Sequence, residues 1–194
     1  MEIESFKPEL VATRIFKMKT RLAERDLSRN RATEPHASLK SGEGVKMEQS
    51  ITINRPPDEV YSFWRQLENL SRFMQHIKSV TQTGSGISHW VVQTSHGAKF
   101  EWDARLIEDK PGQMLSWQSL DGADVDNAGS VWFTPAGEGK ETVVKVVMKY
   151  APPGGKLAAL MAKVFGDSAE KQMMEDLVRL KNLMEAPGQP PVTQ

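Results

Sequence analysis

Between residues 77 and 150 one figure recurs: a short run with strand character, then a turn built on glycine, proline or aspartate. The runs are 77–83, 87–94 (ISHWVVQT), 99–108 (KFEWDARLIE), 113–119 (QMLSWQS), 129–135 and 141–150. The turns between them carry Gly84-Ser85-Gly86, His96-Gly97, Pro111-Gly112, a Gly/Asp loop from Asp121 to Asn127, and Gly137-Glu138-Gly139. Short strands at this regular spacing predict an antiparallel meander. The clearest run alternates strictly, with Phe100, Trp102, Ala104 and Leu106 against Glu101, Asp103 and Arg105. One side of that strand therefore belongs to an apolar interior and the other to solvent.

The flanks complete the architecture. A first strand alternates Met47, Gln49, Ile51 and Ile53 with polar partners until Pro56 and Pro57 end it, because proline lacks the N–H a ladder needs. Val60, Phe63, Trp64 and Leu67 then recur at helical spacing. Asn69 is placed to cap a second short helix carrying Leu70, Phe73 and Met74. The concentration of Tyr61, Phe63, Trp64 and Phe73 in this stretch fits either core filling or the wall of a cavity. After the meander, Leu157, Leu160, Met161, Val164 and Phe165, then Met173, Leu177, Leu180 and Met184, mark a long amphipathic helix interrupted at Gly166-Asp167. The surface available to cover its apolar face is that of the sheet. The expected fold is α+β: a helix-grip of about six to seven antiparallel strands, curved round a long C-terminal helix, with two short helices after strand 1. A bent sheet and a straight helix do not touch along their whole length, so a cavity is expected between them.

The expected organisation is an extension at 1–45, a ligand-binding domain at 46–186 and a disordered tail at 187–194. The extension is basic over 7–31, and Val11, Ile15, Met18 and Leu22 form a narrow helical stripe. It could be a solvated tail, a helix packed on a partner or the domain, or a surface helix on an anionic membrane. Peripheral membrane or protein contact through residues 8–27 is thus left open. Residues 28–45 have linker composition.

Composition removes several chemistries. The 194 residues contain no cysteine, which excludes disulfides, thiolate metal sites and a cysteine nucleophile. Lysine plus arginine equal aspartate plus glutamate, 25 of each, so net charge gives no argument for nucleic acid. The histidines form no metal-ligand pattern, and no phosphate-binding glycine motif occurs. No metal, cofactor or nucleic-acid partner is expected. No apolar run reaches the ~18–20 residues that span a bilayer, and the N-terminus does not read as a signal peptide. The expected location is the cytoplasm, with a membrane-peripheral variant of it.

The stretch ITINRPPDEVYSFWRQLENLSRFMQHIKSV resembles the opening of the SRPBCC superfamily, which includes START-like lipid carriers and birch-allergen-like ligand binders. FEWDARLIEDKPGQMLSWQSLDGADVDNAGSVWFTP and YAPPGGKLAALMAKVFG resemble its polyketide cyclase/dehydrase or coenzyme Q-binding START-domain branch. The resemblance covers about residues 46–185 and implies the helix-grip fold and a hydrophobic small-molecule ligand.

The residues expected to line the cavity are Phe73, Trp102, Leu106, Trp117, Met148, Tyr150, Leu157, Met161 and Phe165. Each also fits an ordinary core. Trp90 and Trp132 are further strand indoles, the latter of undetermined direction. Met114 and Met173 are expected on or near the interior, where flexible thioethers adapt to varied apolar shapes. Entry is expected near Leu70–Met74 and the 121–128 loop. The leading functional expectation is a non-enzymatic binder or carrier of a lipid, quinone or polyketide-like molecule. One alternative is a cyclase or dehydratase with Asp103, Arg105 or His89 transferring protons, which requires at least two of them to face the cavity. Another is a regulatory or stress-associated interaction domain.

Overall fold

The computed structural model describes residues 44–93, 97–151 and 169–187. All lie in one unit of the chain, His36–Gln194. Strand β1 (Val45–Ile53) runs into helix α1 (Pro57–Arg65) and a 3-10 turn (Leu67–Arg72). The meander follows: β2 (Ile77–Gly84), β3 (Ile87–Gln93), β4 (Lys99–Lys110), β5 (Met114–Ser119), β6 (Asp126–Ala136) and β7 (Glu141–Ala151). Helix α2 (Ala169–Glu185) closes the described part. The seven strands form one antiparallel sheet in the order β1-β7-β6-β5-β4-β3-β2. Consecutive strands pair as neighbours, and β1 returns to the far side against β7. This is the helix-grip architecture.

The local structure follows from residue chemistry. Proline at the first position of α1 gives up no helical hydrogen bond, and Asp58 and Glu59 place negative charge at the positive end of the helix dipole. Asn69 behaves differently from expectation. It lies inside the 3-10 turn, not ahead of it, and its side-chain amide donates to the Phe63 carbonyl at 2.9 Å. It thus satisfies the open C-terminal end of α1 instead of capping a second helix. Register shifts between Leu106 and Glu108 and at two points in β2 bend the sheet. The first leaves Ile107 47% exposed on an otherwise apolar-in strand.

Pairing in register fixes the two faces. Met47, Met148, Gly129 and Trp117 follow one another across β1, β7, β6 and β5, and Trp117 pairs with Leu106 on β4. On β3 and β4, Trp90 lies opposite Trp102 and Val92 opposite Phe100. This is the inner face. Trp132 belongs to the other one, with the Lys145 ammonium 5.4 Å from its ring centre. Met114 pairs with Trp132 and so sits on the outer face as well. The expectation that Met114 is interior therefore fails, because Leu115 and not Met114 shares the side of Trp117.

Most of the early aromatic cluster is core. Phe63, Trp64 and Phe73 are buried. Phe73 lies 5.3 Å from Trp64 and 6.3 Å from Phe63, and Trp64 meets Phe133 edge-on at 6.0 Å. Burying each such ring contributes about 1.5–3 kcal/mol. Helix α2 is held by polar fastenings in its second half. Arg55 donates to the Met184 carbonyl at 2.8 Å, Lys181 to the Thr52 carbonyl at 2.7 Å, and the Asn54 N–H to Glu185 at 2.6 Å. Arg179 donates to the Phe73 carbonyl at 2.8 Å. Leu177, Leu180 and Met184 are buried on its inner side.

Candidate functional site

Between the inner face of the sheet and α2 lies a cavity of about 120 Å³. A single water needs roughly 10–15 Å³ on the same kind of measure, so the space suits an organic guest. Two recesses of about 20 Å³ each adjoin it, one beside Tyr150 and Val125, the other beside Leu106 and Leu115. The lining is overwhelmingly apolar.

The dominant feature is a bank of three indoles. Trp90 stacks on Trp102 at 6.0 Å with 13° between planes, and on Trp117 at 6.1 Å with 19°. Alternation turns each of them inward, and the pairing of β3 with β4 sets the first two side by side. Trp117 can lie close to β6 only because residue 129 is glycine. A β-carbon there would stand 2.3 Å from the Trp117 ring. From β1 and β7, Met47 and Met148 continue the wall, and Ala169, Met173 and Leu177 of α2 complete it.

The few polar groups are grouped at two places. At one end are His76, Gln172 and Asp176. Asp176 accepts from Arg179 and, at 3.2 Å, from the Gln75 N–H. Burial nevertheless dominates and raises its carboxyl above the usual aspartate value, with the hydrogen bonds from Arg179 and Gln75 opposing. At the other place Asn127 and Trp102 belong to the walls of both the cavity and the Tyr150 recess. Burial also raises the Tyr150 phenol above its ordinary value.

The sequence-derived candidates divide clearly. Trp102, Trp117 and Met148 line the main cavity. Tyr150 lines one recess and Leu106 the other. Phe73 lies one layer behind, in the core with Phe63 and Trp64, and is absent from the wall. Leu157, Met161 and Phe165 fall outside the described residues, as do the N-terminal segment 8–27 and the tail from residue 188. Asp103, Arg105 and His89 stand on the outer face, where His89 and Asp103 bond one another at 2.8 Å. The condition set for them as proton-transfer groups, two facing the cavity, is not met.

Trp64, one of the early aromatics left open between core and cavity wall, is buried and also lines the cavity. Sequence reasoning did not single out His76, Asn127, Gln172 or Asp176 for this wall. Asn127 sat in a stretch rich in turn formers, yet it is the second residue of β6 and pairs with Tyr150. Among the described residues no group of side chains is arranged to hold a metal ion, and no helix is long and apolar enough to cross a membrane.

Comparison with known proteins adds a lineage. The model of a family described as "Polyketide cyclase / dehydrase and lipid transport" matches residues 53–178. An uncharacterised 17.2 kDa protein of Streptomyces lincolnensis is 28% identical over 147 residues, covering 74% of this chain and 92% of that protein. A crystal structure of a Deinococcus radiodurans protein is 29% identical, with a TM-score of 0.57 over 72% of this chain and 98% of that one. The Zhui aromatase/cyclase of Streptomyces sp. R1128 shares the fold at 13% identity, with a TM-score of 0.58 over 76% of this chain and all of its own.

Proposed function

The chain belongs to the polyketide cyclase / dehydrase and lipid transport family, and from that premise we propose that it binds or carries a hydrophobic small molecule in the cavity between sheet and α2. The family and fold make it a ligand-binding domain; the ligand class is our reading. The observation that carries it is the stacked bank of Trp90, Trp102 and Trp117 sharing one cavity wall with Met47 and Met148. Flat indole faces favour a ring or an unsaturated chain, and thioethers accommodate its outline. At ~25 cal/mol per Å², taking about 300 Å² of apolar guest out of water favours binding by roughly 7 kcal/mol before entropic losses. Micromolar affinity needs about 8 kcal/mol, so shape and a polar contact decide whether binding is useful. Lipids, quinones and polyketide-like rings all meet the apolar requirement, and binding needs no chemistry on the guest.

The test is native mass spectrometry of protein purified from its own cells, then extraction and identification of any bound molecule. A stoichiometric apolar guest, displaced when Met148→Trp fills the cavity, is the expected result. Recovery of empty protein that also binds no single-ring aromatic would refute the reading.

A second reading, cyclase or dehydratase chemistry, is supported by one observation. Asp176 lines the cavity, and burial raises its carboxyl above the usual aspartate value, the direction that favours a proton donor. Turnover of a polyketide-like substrate that Asp176→Asn abolishes, with guest affinity preserved, would favour it over carriage alone.

A further inference from the structure

Of the three stacked indoles, two present clearly different N–H groups. The Trp90 N–H donates to the Ser88 hydroxyl at 2.8 Å. The Trp102 N–H is buried and has no partner among the described residues. The same holds for the Asn127 side-chain oxygen, on a residue only 1% exposed. Both residues line the main cavity and also the recess beside Tyr150. A buried donor or acceptor without a partner is costly, and here one of each belongs to residues of the same wall.

The direction of the Asn127 amide is fixed by its surroundings. Its nitrogen donates to the Val125 carbonyl at 2.9 Å. Turned over, the amide would set its own oxygen against that carbonyl oxygen, so the oxygen is the atom left without a partner. The neighbouring backbone reinforces the position, because the Asn127 N–H is held by the Ser119 hydroxyl at 3.0 Å. Around the two polar atoms the wall is apolar: Val92, Phe100, Val125 and Met148.

We infer that the guest is a hydroxylated apolar molecule, an alcohol, phenol or enol, whose oxygen accepts from Trp102 Nε1–H and whose O–H donates to Asn127 Oδ1. The inference rests on the hydrophobic-guest reading above and narrows it. A hydroxyl supplies both functions in one atom. A quinone or ester carbonyl serves Trp102 and leaves Asn127 unpaired, and a hydrocarbon serves neither. The site therefore separates members of the three guest classes by a single polar group.

The test compares 4-ethylphenol with 4-ethyltoluene, which differ by O–H for CH3. Their affinities are measured by calorimetry on the full chain, with the indole N–H signals followed by 15N-resolved NMR. The expected result is a preference of at least about tenfold for the phenol, with the Trp102 N–H signal moving on addition of the phenol and not the toluene. Asn127→Leu should erase most of the preference while 4-ethyltoluene affinity holds or rises. The NMR shift in the unaltered protein decides the matter even if that variant fails to fold. Equal affinities with an unmoved Trp102 signal would overturn this inference and leave the hydrophobic cavity standing. No binding of either compound would remove both.

Discussion

Gly129→Ala is the most informative single change. Glycine in a strand normally weakens it, so alanine alone should be neutral or slightly favourable. Here the added methyl would lie 2.3 Å from Cζ2, 2.7 Å from Cη2 and 2.8 Å from Cε2 of Trp117. Carbon atoms pack at ~3.5–4.0 Å, so the indole must withdraw by ~1.2 Å or more. The strand lies behind it, which leaves the cavity as the way out. If one ring face is about a third of the ~150–250 Å² that a large aromatic buries, that displacement sweeps on the order of 60–100 Å³. The space available is about 120 Å³. Overpacking of this kind costs about 1–3 kcal/mol, which in a domain of this size lowers Tm by ~2–12 °C. Calorimetric Tm and 4-ethylphenol affinity should both fall. In a Trp117→Leu background the methyl has room, and its cost should shrink to below ~0.5 kcal/mol. An equal penalty with and without Trp117, or a Gly129→Ala protein with unchanged Tm and affinity, would refute the argument.

Three further outcomes are expected. Burial, aided by a 2.5 Å hydrogen bond to Asp109, pushes the Tyr61 phenol up to about 12. Absorbance at ~295 nm should therefore show no Tyr61 ionisation at pH ~10 in folded protein, against full titration near ~10 in urea; since the folded value lies above the unfolded one, this stability is present below pH ~10 and is lost as pH rises toward 12. Asp176 follows the same sign from a lower start, its folded pKa lying above 3.8. Stability measured by urea unfolding should thus shift in favour of wild type over Asp176→Asn as pH falls from ~7 to ~4, and the opposite trend would contradict the burial argument. Phe133→Ala removes a ring 1% exposed that meets both Tyr61 and Trp64, and should cost about 3–5 kcal/mol in the same assay.

The architecture was legible wherever polarity alternated. On β4 the contrast between Trp102 and its charged neighbours is enough to turn that indole inward, and on α2 the spacing of Met173, Leu177, Leu180 and Met184 marks the packed side. Legibility ended where both sides of an element are buried. Asn127 through Phe133 of β6 are all buried, so polarity does not say which way Trp132 points. Only pairing with Met114 and Lys145 does. The same reasoning failed for Met114, because β5 has apolar residues on both sides. Asp176 and Asn127 escaped notice for a different reason. A carboxylate on a helix and an amide after a glycine-rich turn look solvated locally, and their depth is created by elements about 100 residues and 25 residues distant, Gln75 and Trp102.

The fastenings of α2 are unevenly distributed along it. The hydrogen bonds that tie Thr52, Asn54, Arg55, Phe73 and Gln75 to this helix engage Asp176 or residues beyond it, while Ala169 and Met173 meet the cavity with apolar side chains. Such a rod works like a lever clamped near one end. Its clamped half, from Asp176 onward, fixes the depth at which Leu177 stands over the cavity, and the same anchorage sets where Met173, one turn earlier, meets it.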